Sequence, residues 1–244
     1  MNQPLKPTLT PFRSFWTAAN LKRIALTTMI IDHVAASLLL TMIYYQDPRL
    51  PAGMDWIMVY TVMRSIGRLA FPIYLFLLVE GYFHTHNLKR YLMRLGVLAF
   101  VSEIPFDLAF NHTWWDLSHQ NIFFELFLAL VLFILLDRWQ EHFLLQVLAI
   151  AMLAVLAEWA CLDYGWYGIL AAGILYLCHP NRLYMALGVL VGFLFELSMP
   201  TVFLAAPMVY WYNGQRGRVN QAFHYWIYPI HLALLAIVYY LLYP

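Results

Sequence analysis

Asp32 and His33 lie side by side in one long apolar stretch, and Arg64 and Arg68 lie one helical turn apart in the next. A charge near the centre of a bilayer costs at least ~2.5–3.5 kcal/mol, and ionisable groups held there by default mark function. Counted along a helix, Asp32 and His33 are ~15 Å in from Lys22, while Arg64 and Arg68 are ~12 and ~18 Å in from Trp56. Antiparallel neighbours would bring the two pairs to one depth. Adjacent helical residues point about 100° apart, so Asp32 cannot orient His33 directly. The spacing predicts that Asp32 pairs with Arg64 or Arg68 while His33 faces a cavity. Histidine there suits general-base work, and arginine suits binding a carboxylate, a carbonyl or a phosphate oxygen. A structural ion pair that sets helix register is the simpler reading, but it does not need His33 beside it.

Other candidates lie toward the helix ends. Ser102-Glu103-Ile104-Pro105-Phe106-Asp107 predicts a proline-kinked helix with carboxylates beside the kink. Gln120-Asn121-Ile122-Phe123-Phe124-Glu125 opens the following helix with an amide and a carboxylate. Glu103 is thus a candidate base, and Asp107, Asn121 and Glu125 are candidates to bind an acceptor; capping of short loops is the alternative. Asp163-Tyr164-Gly165-Trp166-Tyr167-Gly168 adds Asp163 and Tyr164, with helix capping as the competing role for Asp163. His84-Thr85-His86 lacks a third partner, so no metal site is expected. Lys89, Arg90 and Arg94 follow at a helix start, where phosphates can be held. Tyr228-Pro229-Ile230-His231 places Tyr228 and His231 inside the last apolar stretch.

The helices that must position these residues are legible from composition. The chain has 244 residues, 63% hydrophobic and 11% charged, against the roughly 25% charged residues of a soluble domain. That predicts an all-α, polytopic integral membrane bundle forming a single domain over 1–244. Residues 1–20 are expected to be a cytoplasmic or interfacial segment without a cleavable leader, with Pro11 to Trp16 as an aromatic anchor. The net charge of +1 points to no nucleic-acid partner. Cys161 and Cys178 fall ~25 Å apart on one predicted helix, too far for a disulfide.

Nine spans are expected, at 23–45, 56–83, 88–110, 121–137, 142–159, 164–179, 183–198, 200–213 and 222–243. The sixth and eighth are short for full crossings. With the N-terminus inside and the C-terminus outside, eleven of the 14 Lys and Arg fall on the cytoplasmic side. Arg49 falls outside, and Arg64 and Arg68 lie in the membrane. Acidic residues (Asp47, Asp55, Asp107, Asp116, Glu158, Asp163 and Glu196) gather toward the outer ends, which suits a cationic or amine partner.

The stretches LKRIALTTMIIDHV (21–34), RSIGRLAFPIYLFLLVEGYFHTHNLKRYLMRL (64–95), SEIPFDLAF (102–110), QNIFFEL (120–126), DYGWYG (163–168) and YWIYPIHLALL (225–235) resemble, in this order, the TraX family of pilin acetyltransferase-like proteins. That family is similar to a wider superfamily of membrane-bound acyltransferases. The resemblance implies a bacterial inner-membrane enzyme that takes acetyl-CoA from the cytoplasm. It would modify an amine or hydroxyl at the outer face, on an exported pilin-like protein or a surface glycan. His33 is then the catalytic histidine, with Asp32, Arg64, Arg68 and Glu103 around it. Lys89, Arg90, Arg94, Tyr228 and His231 would face the coenzyme, and Asp107, Asn121, Glu125, Asp163 and Tyr164 the acceptor. The alternatives are a proton-coupled transporter, against which the absence of a visible inverted repeat counts, and a non-enzymatic pilus or secretion assembly factor.

Overall fold

The computed structural model describes residues 14–218 and 220–244. Most of the expected N-terminal segment, with Lys6, Arg13 and half of the aromatic anchor, lies outside the described residues.

Polar caps and prolines divide the apolar chain into helices. The sequence of rods is α1 (Ala18–Tyr44), α2 (Trp56–His84), α3 (Leu88–Phe110), α4 (Ile122–Arg138), α5 (Phe143–Trp159), α6 (Gly165–Cys178), α7 (Arg182–Gly192), α8 (Pro200–Trp211) and α9 (Gln221–Leu242). No strand occurs among the described residues. Six of the rods begin on a side-chain cap: Thr17, Asp55, Asn87, Asn121, Asn181 and Asn220 each accept a hydrogen bond from a backbone amide of the first turn. Such caps satisfy amides that no intrahelical carbonyl can reach.

Three helices, Ala18–Tyr44, Trp56–His84 and Ala222–Leu242, are long and apolar enough to cross a membrane. The surface agrees with a lipid setting. Large apolar side chains such as Phe143 (78% exposed), Val155 (71%) and Trp159 (80%) cover the outside of α5, and soluble monomers rarely expose contiguous apolar faces of that kind. α6 has 14 residues, ~21 Å long, against a hydrocarbon core of ~30 Å. The expected span at 183–198 stops early. α7 ends at Gly192, a short 3-10 turn follows at Leu194–Glu196, and the chain re-enters a 3-10 helix at Pro200.

Two apolar clusters form the interior. The larger joins α2, α4, α6, α7 and α8 through side chains such as Phe76, Leu130, Phe133, Ile169 and Phe193. The smaller joins α1, α3 and α9 through Leu26, Met29, Phe106, Tyr228 and Leu232. Tyr74, Ile122 and Phe123 pack against both. Tyr74 and Ile122 also line the cavity that holds His33.

Two local breaks aim the key side chains. Pro72 lacks the amide that would bond the Arg68 carbonyl, and α2 is interrupted at Arg68–Leu69. In α1 a π turn spans Ala35–Leu39, immediately after His33, and the Ser37 hydroxyl within it donates to the Ala109 carbonyl at 2.6 Å. Such single π turns insert a residue into the α register and are frequent at functional sites.

At the α1–α2 loop, Asp47 receives hydrogen bonds from Arg49 and from the Tyr243 hydroxyl. The Arg49 guanidinium holds the Asp47 carboxyl well below the usual carboxylate range, with Tyr243 adding to the effect. The C-terminal end of α9 is thereby fastened to the loop that follows α1.

Candidate functional site

His33 on α1 and His231 on α9 stack with ring centroids 5.0 Å apart, and His33 Nδ1 lies 2.8 Å from His231 Nε2. His231 Nδ1 is 2.9 Å from the Ile227 carbonyl oxygen, an atom that only accepts. His231 Nδ1 therefore carries hydrogen. In the neutral ring its Nε2 is then an acceptor, so His33 Nδ1 must donate to it. This fixes His33 in the tautomer whose Nε2 bears a free lone pair. Phe110 and Tyr228 meet the His33 ring edge-on at 5.3 and 5.9 Å and hold its plane.

His33 lines a cavity of about 160 Å³ together with Asp32, Arg64, Arg68, Asp163 and Tyr164. Asp32 pairs with Arg64 across the α1–α2 interface. Its other oxygen, Oδ1, is buried without a hydrogen-bond partner among the described residues. Gly67 allows this approach: a Cβ there would collide with the Asp32 carboxyl group. Arg68 reaches the short turn after α7, with Nε 3.7 Å from Glu196 Oε2 and 3.5 Å from Met199 Sδ. The two arginines thus differ. Arg64 is neutralised by a direct carboxylate contact, while Arg68 has a looser partner and more of its charge is available to the cavity.

His119 forms the far rim. It lines the same cavity and lies with Nε2 3.1 Å from Asp163 Oδ1. The Asp163 carboxylate raises the His119 imidazole above its ordinary value. The sequence reading passed over His119, which sits in a polar loop with no periodic signal around it. It also did not join Glu196 to Arg68, because no spacing rule connects residues 128 positions apart.

The remaining candidates are placed as follows. Glu103 does not line the cavity. It is buried (1% exposed) beneath the start of α4, where it accepts from the Asn121 side chain and, at 3.3 Å, from the Asn121 amide. Asn121 also donates to the Ala99 carbonyl at 2.8 Å and caps the Phe123 amide. The pair fastens α3 to α4. Asp107 accepts from Asn111 at 3.2 Å and from the Asp116 amide at 2.9 Å, organising the α3–α4 loop. Glu125 is fully buried with its carboxyl against Gly168, behind the cavity wall. Of the acceptor candidates, only Asp163 and Tyr164 face the cavity. His231 touches His33 rather than a separate coenzyme site, because α9 packs along α3 and reaches α1. Tyr228 lines the cavity and the passage next to it. Among the three basic residues, Arg94 borders a basin at the Lys22 end of the bundle, Lys89 does not, and Arg90 faces only a neighbouring apolar groove, which Arg94 also lines.

Fold and site together define an all-helical membrane protein with a paired-histidine, two-arginine cavity at the meeting of α1, α2, α3 and α9. The family described as TraX protein matches residues 17–239, and the chain belongs to that family. The chain is also 30% identical over 248 residues to a probable fimbrial assembly protein FimC, serogroup H1, from Dichelobacter nodosus, covering 90% of this chain and 94% of that protein. No solved structure matches.

Proposed function

We propose that this protein is a nine-span, N-in/C-out acyltransferase of the bacterial inner membrane. It moves an acetyl group from cytoplasmic acetyl-CoA to an amine or hydroxyl at the outer face. A pilin-like exported protein is the acceptor class in best accord with a pilus-related family and a fimbrial assembly relative. The observation that carries the reading is the His33 Nε2 lone pair, freed by the His33–His231–Ile227 chain and set in a small cavity with Arg64 and Arg68.

In this mechanism His33 Nε2 takes the proton of the acceptor N–H or O–H as that atom attacks the thioester carbonyl carbon. His231 supports the resulting imidazolium through the Nδ1 hydrogen bond. Arg68 stabilises the oxyanion, because Arg64 is already engaged by Asp32. The oxyanion collapses, the carbon–sulfur bond breaks, and His33 returns the proton to the departing thiolate. Products are free coenzyme and the acetylated acceptor, with His33 neutral again. Asp163 and His119 on the rim would receive the acceptor, and a carboxylate there suits an amine that arrives protonated and releases its extra proton to solvent through the rim before His33 takes the next.

The test is transfer of labelled acetyl from acetyl-CoA to membrane proteins or to a pilin N-terminal peptide, using purified protein in proteoliposomes. His33→Ala is expected to abolish transfer while inserting normally. Undiminished transfer by that variant would remove His33 from the mechanism, and no transfer by the wild type to any acceptor would remove the activity.

A further inference from the structure

Three cavities succeed one another from the Lys22 end of the bundle to His33. A basin of about 490 Å³ is lined by Lys22, Arg94 and Arg216 together with Glu80, His84 and Tyr225. A narrow chamber of about 130 Å³ follows, sharing Lys22, Leu77, Tyr91 and Tyr225 with the basin. This chamber in turn shares Met29, Tyr74, Ile122 and Tyr228 with the His33 cavity. The walls change from cationic, to apolar and phenolic, to histidine and arginine. From Lys22 to His33 is eleven residues of α1, ~16 Å along the helix.

The cations at the mouth are built into place. The amides of Ala18 and Ala19, at the start of α1, donate to the carbonyls of Gln215 and Arg216 at 2.9 and 3.0 Å. That fixes the loop bearing Arg216 over the basin. Gly217, at a φ of +68°, is held so closely that a Cβ would lie 2.7 Å from the Ala19 methyl. Arg94 lies over the Tyr225 ring, 5.7 Å from its centroid. The acidic group of the basin, Glu80, is doubly bonded by Arg182 at 2.8 and 3.1 Å, so it does not offset the three cations. A strongly positive mouth on a slim passage, whose walls beyond Lys22 are mostly apolar and phenolic, fits a ligand with phosphates at one end and a thin neutral arm.

We infer that Lys22, Arg94 and Arg216 bind the phosphates of a nucleotide-carried thioester, whose arm threads past Leu77, Tyr91 and Tyr225 to present the acyl group to His33. The ligand class rests on the acyltransferase reading, while the phosphate site stands on the basin itself. It also moves the phosphate contacts away from Lys89 and Arg90.

The experiment measures binding of adenosine 3′,5′-bisphosphate and of acetyl-CoA to the full chain in phosphatidylcholine nanodiscs. Arg94→Gln and Arg216→Gln are each expected to weaken bisphosphate binding about tenfold or more, the loss typical of a charged hydrogen bond. Lys89→Gln and Arg90→Gln should leave it within about twofold, since they make no such contact. Leu26→Trp, in a chamber wall that the basin does not share, should leave bisphosphate affinity intact, which also reports an intact fold, while removing the extra affinity of acetyl-CoA. The phosphate site falls if wild-type protein binds no bisphosphate, or if Lys89→Gln and Arg90→Gln are the damaging changes. It falls equally if added phosphatidylglycerol displaces the bisphosphate, which would make the basin a lipid headgroup site. Acetyl-CoA affinity unchanged by Leu26→Trp would overturn the passage. Basin-dependent bisphosphate binding without any acetyl transfer would keep the site and discard the acyltransferase reading.

Discussion

His33 owes its chemistry to an atom 198 residues away. Alone on α1 it would exchange between tautomers. With His231 accepting from Nδ1, the lone pair stays on Nε2. His231→Phe keeps the packing against Tyr228 and removes the acceptor. It should lower kcat by roughly 10²–10⁴-fold, the range for loss of general-base function, with little change in acetyl-CoA affinity. Equal kcat in wild type and variant would reduce His231 to packing. The His119–Asp163 pair responds to pH in a set direction. Because the folded imidazole is raised above its ordinary value, the pair's stabilisation is complete below about pH 6.5 and is lost as pH climbs through the folded value. Thermal unfolding between pH 6 and 9 should show the wild type losing more than Asp163→Asn. Parallel profiles would mean that the pair contributes nothing at the rim.

Helix ends and interruptions do the positioning. Asn121 starts α4 and also holds Glu103 at the interface with α3. Asn121→Ala removes the cap and leaves a buried carboxyl group without its amide donor, so a loss of about 2–4 kcal/mol is expected. Unfolding in detergent checks this, and a loss below ~0.5 kcal/mol would show that α4 does not depend on the cap. The interruption at Arg68 and the π turn after His33 act in the same manner, changing register where a regular helix would carry a side chain out of the cavity. Gly67 sits between them because the Asp32 carboxyl occupies the space of a side chain.

Across the molecule, Glu80 on α2 and Arg182 on α7 form a bidentate pair, with the guanidinium 4.6 Å from the Tyr212 ring centroid. Arg182→Met strands Glu80 in a buried position and should cost about 3–5 kcal/mol. The double variant Glu80→Gln, Arg182→Met should recover most of that, measured as unfolding temperature; no recovery would place the loss in Arg182 packing instead. Orientation has a native reporter as well. Cys161 is exposed just before α6, and Cys178 ends that helix. In the N-in arrangement an impermeant maleimide added to intact spheroplasts labels Cys161 in a Cys178→Ala chain. Labelling only after lysis would reverse the topology.

Much was legible in the chain alone. Apolar runs broken by asparagine, proline and charged clusters marked the helices to within a few residues, because a backbone in lipid must satisfy its hydrogen bonds within each helix. The 183–198 stretch departed most, and 200–213 opens as a 3-10 helix before seven α-helical residues. In the former, apolar composition continues past Gly192, but the helix does not, since Glu196 turns back toward Arg68 and Tyr167. Equal depth brought Asp32 and His33 to the level of Arg64 and Arg68, since rise per residue is constant along any helix. Azimuth and neighbourhood were decided only by tertiary packing. Glu103 and Glu125, expected near each other toward the outer end, point into helix junctions instead of the cavity. His119 reaches the cavity and His231 reaches His33, both from distant parts of the chain. Depth follows from counting residues along one helix, whereas which face meets which neighbour depends on how all the helices pack together.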